Sequence, residues 1–528
     1  MGLIFYCDKT GTDVNQRNSL EPFSFTFCLF NRECRYNTAA WRTLGYVPDF
    51  DKMSSATHSI SRGGYIGKGR TIRNFHKCLE ILMDPMFRNQ GDITPLYANV
   101  RFGDKVAICR VFFPFAYIMG DGLSSDKMCG RYLGYSNVNR LSRVCNIPFA
   151  LSDDPEYCCQ RISMHWLQRK SNKALKLFGL KEFLISDKKP HPSDFKKLQQ
   201  DVKFELSQVS HHMHNSAFRN VWFGQNTNGI TSATPTDLMH AYCHGVLVYV
   251  IKILLAPLNN QEKSTLDSIC VEMFRYLKSN QKNEYPRYMF SKGITNLTLL
   301  TAAEWVGVAF LLAMFTISSQ GQQFWNAVKE RLQPNGETIF TRRGIRQKYM
   351  VAENKRLGDD EEAASGIICD VMDILYVLEM NLAFYAWYKR GEPFPINNMS
   401  SVSAVRKSFS ILLNSIKEFT PRNHGNGWKL QKFHEMLHIP MDIYFFGSPQ
   451  NYDNSPTEHG LIETAKRPAD HVQKSNSLFV SQVTKHFLES FLIKKAKQLL
   501  SRSRPVETTD TAVDFFQIAK FCFIPCCF

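Results

Sequence analysis

The sequence predicts an α/β protein, with a mixed sheet near the N-terminus and a long helical elaboration after it. Three observations carry that expectation. Phe23–Phe30 (Phe-Ser-Phe-Thr-Phe-Cys-Leu-Phe) alternates with period two, the pattern of a half-buried strand. Val106–Met119 is a long apolar run ending at Gly120-Asp121, which suits a central buried strand. After Asp121 the apolar residues fall into long segments with helical spacing, and no internal repeat is present.

Along the chain, Leu3-Ile4-Phe5-Tyr6 is a short apolar strand ending at Asp8, and Lys9–Ser19 is a polar loop. Residues 53–70 read as a flexible insertion. Thr71–Leu82 places Ile72, Phe75, Leu79 and Leu82 on one helical face. Residues 122–160 are loop-rich with several cysteines, and 161–210 are basic, polar and helical in pattern. Residues 236–258 and 297–316 form apolar helices, and 341–363 form a charged linker. Helices return at 366–390 and 402–419. Residues 424–473, rich in His, Gly, Asn and Pro, read as loops around a short helix.

Composition narrows the class. In 528 residues, 44% hydrophobic and 13% aromatic content excludes a disordered chain. The apolar stretches Val246–Leu258 and Leu297–Ile317 contain Lys252 and Glu304, so they read as buried core helices and no membrane partner is expected. Met1–Asp8 has no basic segment followed by an apolar one, so no signal peptide is expected. The 15 scattered cysteines should then be reduced and intracellular. A net charge of +16 suits an anionic partner, nucleic acid being the commonest.

Three constellations carry chemistry. Asp8 and Asp121 stand at the ends of buried strands, where two carboxylates on adjacent strands can share divalent cations. A third acid on a helix would complete a site for two ions ~3.5–4 Å apart, and Mg²⁺ suits such oxygen ligands. An Asp after a strand also commonly just opens a turn. The second constellation is Cys129, Cys145, Cys158 and Cys159 with His240 and His244, which share a helical face and could hold Zn²⁺. No Cys-x2-Cys pair is present, because Ser142 stands where the first Cys of a pair with Cys145 would be. The third is His434-Glu435-Met436-Leu437-His438, a zinc-peptidase pattern with Glu435 as base and Glu458 as a third ligand. Pro440 disfavours helix at Ile439 and argues against it.

Several segments in order resemble CACTA-type transposases, in particular the Plavaka-like branch. They are Phe5-Tyr6-Cys7-Asp8-Lys9-Thr10-Gly11-Thr12-Asp13 with Arg17, Leu20-Glu21-Pro22 and Phe25-Thr26; Trp41-Arg42 with Leu44-Gly45-Tyr46-Val47-Pro48; and Gly120-Asp121 with Asp126–Tyr132. Pro235-Thr236-Asp237-Leu238-Met239-His240 with Gly245-Val246, Leu300–Trp305, and Lys432–His438 with Phe446-Gly447 and Glu458-His459 complete the set. The likeness spans roughly residues 3–475.

The resemblance implies an RNase H-like core of the DDE type, with Asp8, Asp121 and Glu304 as catalytic, Mg²⁺- or Mn²⁺-holding acids. It implies a division into a first part of the core (1–121), a Cys/His-containing helical insertion (122–296), a third-acid helix completing the core (297–345), a helical C-terminal region (366–500) and a tail (501–528). A structural Zn²⁺ on Cys145, Cys158, His240 and His244 is an expectation that Ser142 weakens. The implied partner is DNA, in particular transposon ends, in the nucleus, with homo-oligomerisation left open. Lys127 and Arg131 are the expected phosphate contacts, within a cationic face that also holds Lys9, Arg17, Arg140 and Arg143. The family's N-terminal DNA-binding region is not seen ahead of Asp8, so a truncated, inactive or domesticated copy is one expectation. The alternatives are a non-catalytic DNA-binding derivative and the zinc peptidase.

Overall fold

The computed structural model describes residues 2–12, 19–48, 64–90, 96–132, 138–157, 160–163, scattered positions between 166 and 223, 228–280, 294, 300–332, 371–389, 396, 398–422, 425–473 and 478–502. These fall into two compact units. One comprises Met1–Gly134, Arg161–Pro235 and Asn454–Phe528, the other Tyr135–Gln160 and Thr236–Asp453. The expectations for 53–63, 341–363 and the tail from 503 lie outside the described residues, as does Arg17.

The first unit is built on a five-stranded mixed sheet. Strands β1 (Leu3–Cys7), β2 (Thr10–Gly11), β3 (Ser19–Phe27), β4 (Arg42–Val47) and β7 (Phe115–Met119) form it, in the order β2-β3-β1-β7 with β4 paired to β3. β1 is buried along its whole length, because it lies between β3, antiparallel, and β7, parallel. Its Phe5 stacks on Phe23 at 5.0 Å and on Phe115 at 4.4 Å between ring centroids. The helix Gly64–Gln90 (α1) buries Phe75, Leu79 and Met83 in the same core. It is longer than the Thr71–Leu82 segment that periodicity marks, and it takes in 64–70, so the flexible insertion expected over 53–70 does not extend that far.

Two strand expectations change in the structure. The period-two strand begins at Ser19 and stops at Phe27, and the polar loop before it contains β2. The β1–β3 ladder ends at the pair Cys7–Phe23, and the β2–β3 ladder resumes at Thr10–Leu20. Pro22, which has no N–H to give, falls in that lapse, and Asp8 emerges beside it. The apolar run Val106–Met119 is two elements. β6 (Lys105–Val111) pairs with β5 (Leu96–Phe102) in a separate hairpin, and only β7 is central. Pro114 separates them, and Ile108 of the hairpin is 75% exposed.

The second unit is mostly helical. A π-helical turn, Met239–Val246, leads into Leu247–Leu255 (α2). Ala302–Ile317 (α3), Val371–Lys389 (α4) and Met399–Phe419 (α5) pack with it around one apolar core that includes Trp305, Leu312, Leu378 and Leu413. No single described helix is long and apolar enough to cross a membrane. α3 and the helix after it reach that length together, but they meet at 89° and α3 packs in this core.

Candidate catalytic and metal sites

Asp8 and Asp121 are brought together as the sequence suggests. β1 and β7 are parallel neighbours, so their C-terminal ends lie side by side. Gly120 makes the close approach there: a Cβ on it would meet the Cys7 carbonyl oxygen at 2.5 Å. Asp121 caps the helix Gly122–Met128 (α6), its Oδ1 accepting from the Ser124 N–H at 2.6 Å. The Ser124 hydroxyl donates to Asp8 Oδ1 at 3.0 Å, and the Tyr6 hydroxyl donates to Asp8 Oδ2 at 3.2 Å. One serine therefore holds both carboxylates. Beneath them Cys7 is fully buried, and burial, with the charges of Glu21, Asp8 and Asp121, holds its thiol well above the usual range. Hard carboxylate oxygens at adjacent strand ends fit a divalent cation such as Mg²⁺.

The expected cationic face takes a different form. Lys127 is buried, its Nζ 2.6 Å from Glu21 Oε2 and 4.4 Å from the centre of the Phe75 ring. Arg131 is buried with Asp126 at 3.3 Å. Arg143 is buried against Glu435. A buried cation needs a paired anion, so these three charges meet carboxylates inside the protein. Lys9 is exposed beside Asp8.

The second unit holds a buried thiol–imidazole group. One ligand atom each from Cys145, His434 and His438 lies within 4.8 Å of the others. Cys145 Sγ is 3.1 Å from His434 Nε2, and His438 Nε2 is 3.3 Å from the Ser142 hydroxyl. Helix Gln431–Glu435 carries His434, and a 3₁₀ turn, Met436–His438, carries His438. Pro440 does not interrupt the segment, because it sits in the first turn of the next helix, Ile439–Phe446, where a missing N–H costs nothing. A tetrahedral zinc site with Zn–S ~2.3 Å and Zn–N ~2.0 Å spaces its ligand atoms about 3.3–3.6 Å apart. The group fits that ion in ligand type, and its ligand atoms lie close enough together to share one ion. Among the described residues, His434 Nδ1 is buried with no hydrogen-bond partner.

The zinc set read from the sequence is thereby revised. Cys145 belongs to the candidate group, but the imidazoles beside it are those of His434 and His438. His240 instead engages Asp237, Nδ1 to Oδ2 at 2.5 Å. His244 faces His240 with ring centroids 5.8 Å apart. Burial lowers its pKa first, then the proximity of His240 and Lys432. Cys158 lies outside the described residues. The sequence did hold the signal, a Ser142-x2-Cys145 spacing and a His434-x3-His438 spacing, but the peptidase pattern drew the two imidazoles elsewhere. Glu435, the base of that pattern, is buried against Arg143 and accepts from Gln431 Nε2 at 2.8 Å.

Glu304 belongs to the helical unit, whereas Asp8 and Asp121 belong to the sheet unit. Its carboxylate accepts the Thr301 N–H at 2.6 Å in the capping box that starts α3. Glu458 belongs to the sheet unit, on the helix Ser455–Leu461.

The sheet unit also buries a group of imidazoles that the sequence did not single out, His76, His211 and His214 among them. The ring centroids of His76 and His214 are 4.3 Å apart, and those of His211 and His214 are 4.9 Å apart. Gly130, at φ +73°, leaves room for His214, whose ring would lie 1.8 Å from any Cβ there. Burial lowers His211 to about 3 and His214 to about 4, and it holds His76 well below its usual value. These folded values lie below the ~6.5 of an unfolded histidine. The unfolded chain therefore binds more protons below pH ~6.5, and stability is full above it and lost as pH falls toward 4. The urea midpoint should drop steeply over that window, and a His211→Gln, His214→Asn double variant should flatten the drop. Equal slopes for the two proteins would refute the assignment.

No family model matches the chain, and no curated protein matches it.

Proposed function

We propose that the chain is the catalytic region of a cut-and-paste DNA transposase with an RNase H-like core. The observation that carries this reading is the pairing of Asp8 and Asp121 at the ends of parallel, adjacent strands of a mixed sheet. The antiparallel run β1-β3-β4, followed by a strand parallel to β1, suits such a core. When bound there, Mg²⁺ or Mn²⁺ would stabilise charge on the attacking and leaving oxygens of one phosphodiester. Asp8 and Asp121 would hold the ions, and Ser124 and Tyr6 fix the carboxylate orientations. The substrate is DNA at transposon ends, in the nucleus. Zn²⁺ on Cys145, His434 and His438 would brace the helical unit. The peptidase alternative loses support because Glu435 is already ion-paired.

The test is nicking of supercoiled plasmid by the purified chain in Mg²⁺ or Mn²⁺, with DNA binding followed between ~50 and ~200 mM salt. Nicking with salt-sensitive binding supports the reading, since phosphate contacts lose orders of magnitude in affinity over that range. Salt-sensitive binding without nicking selects the non-catalytic derivative. A salt-insensitive or absent interaction refutes both. The third acid is assigned by comparing Glu304→Gln with Glu458→Gln. The resemblance expects the first to lose nicking. Loss only in the second moves the role to the acid that shares a unit with the two aspartates.

A further inference from the structure

We propose that Ser142 is the fourth ligand position of the Cys145–His434–His438 centre, which makes this a three-strong-ligand metal site with a weak, exchangeable fourth corner. The inference rests on the zinc reading above and adds to it the identity and behaviour of that corner. Ser142 is 1% exposed, and its hydroxyl lies 3.3 Å from His438 Nε2. The same oxygen accepts from the Val144 N–H at 3.1 Å and the Cys145 N–H at 3.2 Å. Those two bonds fold residues 142–145 into a tight turn that presents the Ser142 oxygen and the Cys145 sulfur to the same pair of imidazoles. A side chain in that position serves as the first ligand of a two-ligand turn.

The consequence is chemical. A serine hydroxyl is neutral at pH 7 and a far poorer partner for a soft ion than a thiolate. Binding would deprotonate Cys145 and leave both imidazoles neutral. One thiolate against Zn²⁺ leaves a net +1 in a buried site, where an uncompensated charge is costly. The ion should therefore be held less tightly than by a centre with two thiolates.

Co²⁺ is the probe, because its thiolate-to-metal absorption scales with the number of bound sulfurs. The purified chain should show a one-thiolate band. Ser142→Cys should roughly double that band and raise zinc affinity about 10–100-fold, the scale on which changes around a metal act. A Ser142→Cys protein that binds Co²⁺ with an unchanged band and unchanged affinity overturns the Ser142 assignment and leaves the zinc reading standing. Absence of binding in both proteins overturns the zinc reading itself. If Ser142→Cys fails to fold, Ser142→Ala and Ser142→Thr decide the matter. Weaker Co²⁺ retention in Ala, restored in Thr, supports the proposal, and equal retention in both refutes it.

Discussion

Asp8→Asn and Asp121→Asn should each reduce Mg²⁺-dependent nicking at least about a thousandfold, the loss of roughly 4 kcal/mol of transition-state stabilisation. Asparagine is the informative replacement at both positions. At Asp121 it remains a good N-cap, so the Ser124 N–H keeps an acceptor and α6 keeps its start. Alanine would lose the cap as well, at about 1 kcal/mol, and would confound folding with chemistry. At Asp8 the Asn oxygen can still accept from Ser124. What both variants lose is charge, and charge is what holds a divalent cation. Unfolding midpoints near wild type together with lost nicking would be the expected pair of results. Nicking that persists in either variant would remove that aspartate from the site.

The sequence carried the sheet core well where local pattern and global burial agree. Leu3–Tyr6 and Phe23–Phe27 are strands as the pattern marks them, but β3, which period two marks as half-buried, is buried on both faces because it lies between β1 and β4. The run Val106–Met119 misled because apolar content alone cannot separate a central strand from a hairpin strand. Pro114 was the mark that divides them. The acids at the strand ends were legible, since Gly120-Asp121 follows β7 directly. The cations were not. Lys127 and Arg131 have the composition of a phosphate-binding loop, but Lys127, on α6, and Arg131, just past its end, turn inward onto Glu21 and Asp126, pairings that no local sequence pattern marks. The candidate metal-binding group was half legible for the same reason. Cys145 and Ser142 form a local turn, whereas His434 and His438 reach them from almost 300 residues away.

Arg143→Met should destabilise the helical unit by about 3–5 kcal/mol, read as a lower urea midpoint. Arg143 and Glu435 are 1% and 4% exposed in their side chains, so the pair is out of water. Removing one partner strands the other charge in the interior, and that penalty is the source of the magnitude. Gln431 offers Glu435 only a neutral amide, which cannot replace a guanidinium. The pair also joins the Ser142–Cys145 turn to the helix that carries His434. Its loss should therefore weaken Co²⁺ binding as well as folding, although neither residue is a ligand. The control is the double variant Arg143→Met, Glu435→Met. With no charge left buried, it should recover most of the lost stability, because an apolar pair of similar volume commonly matches a buried ion pair. If Arg143→Met and the double variant are equally unstable, the cost arises from lost packing and not from the stranded carboxylate. If both equal wild type, the pair contributes nothing to holding the turn against the helix.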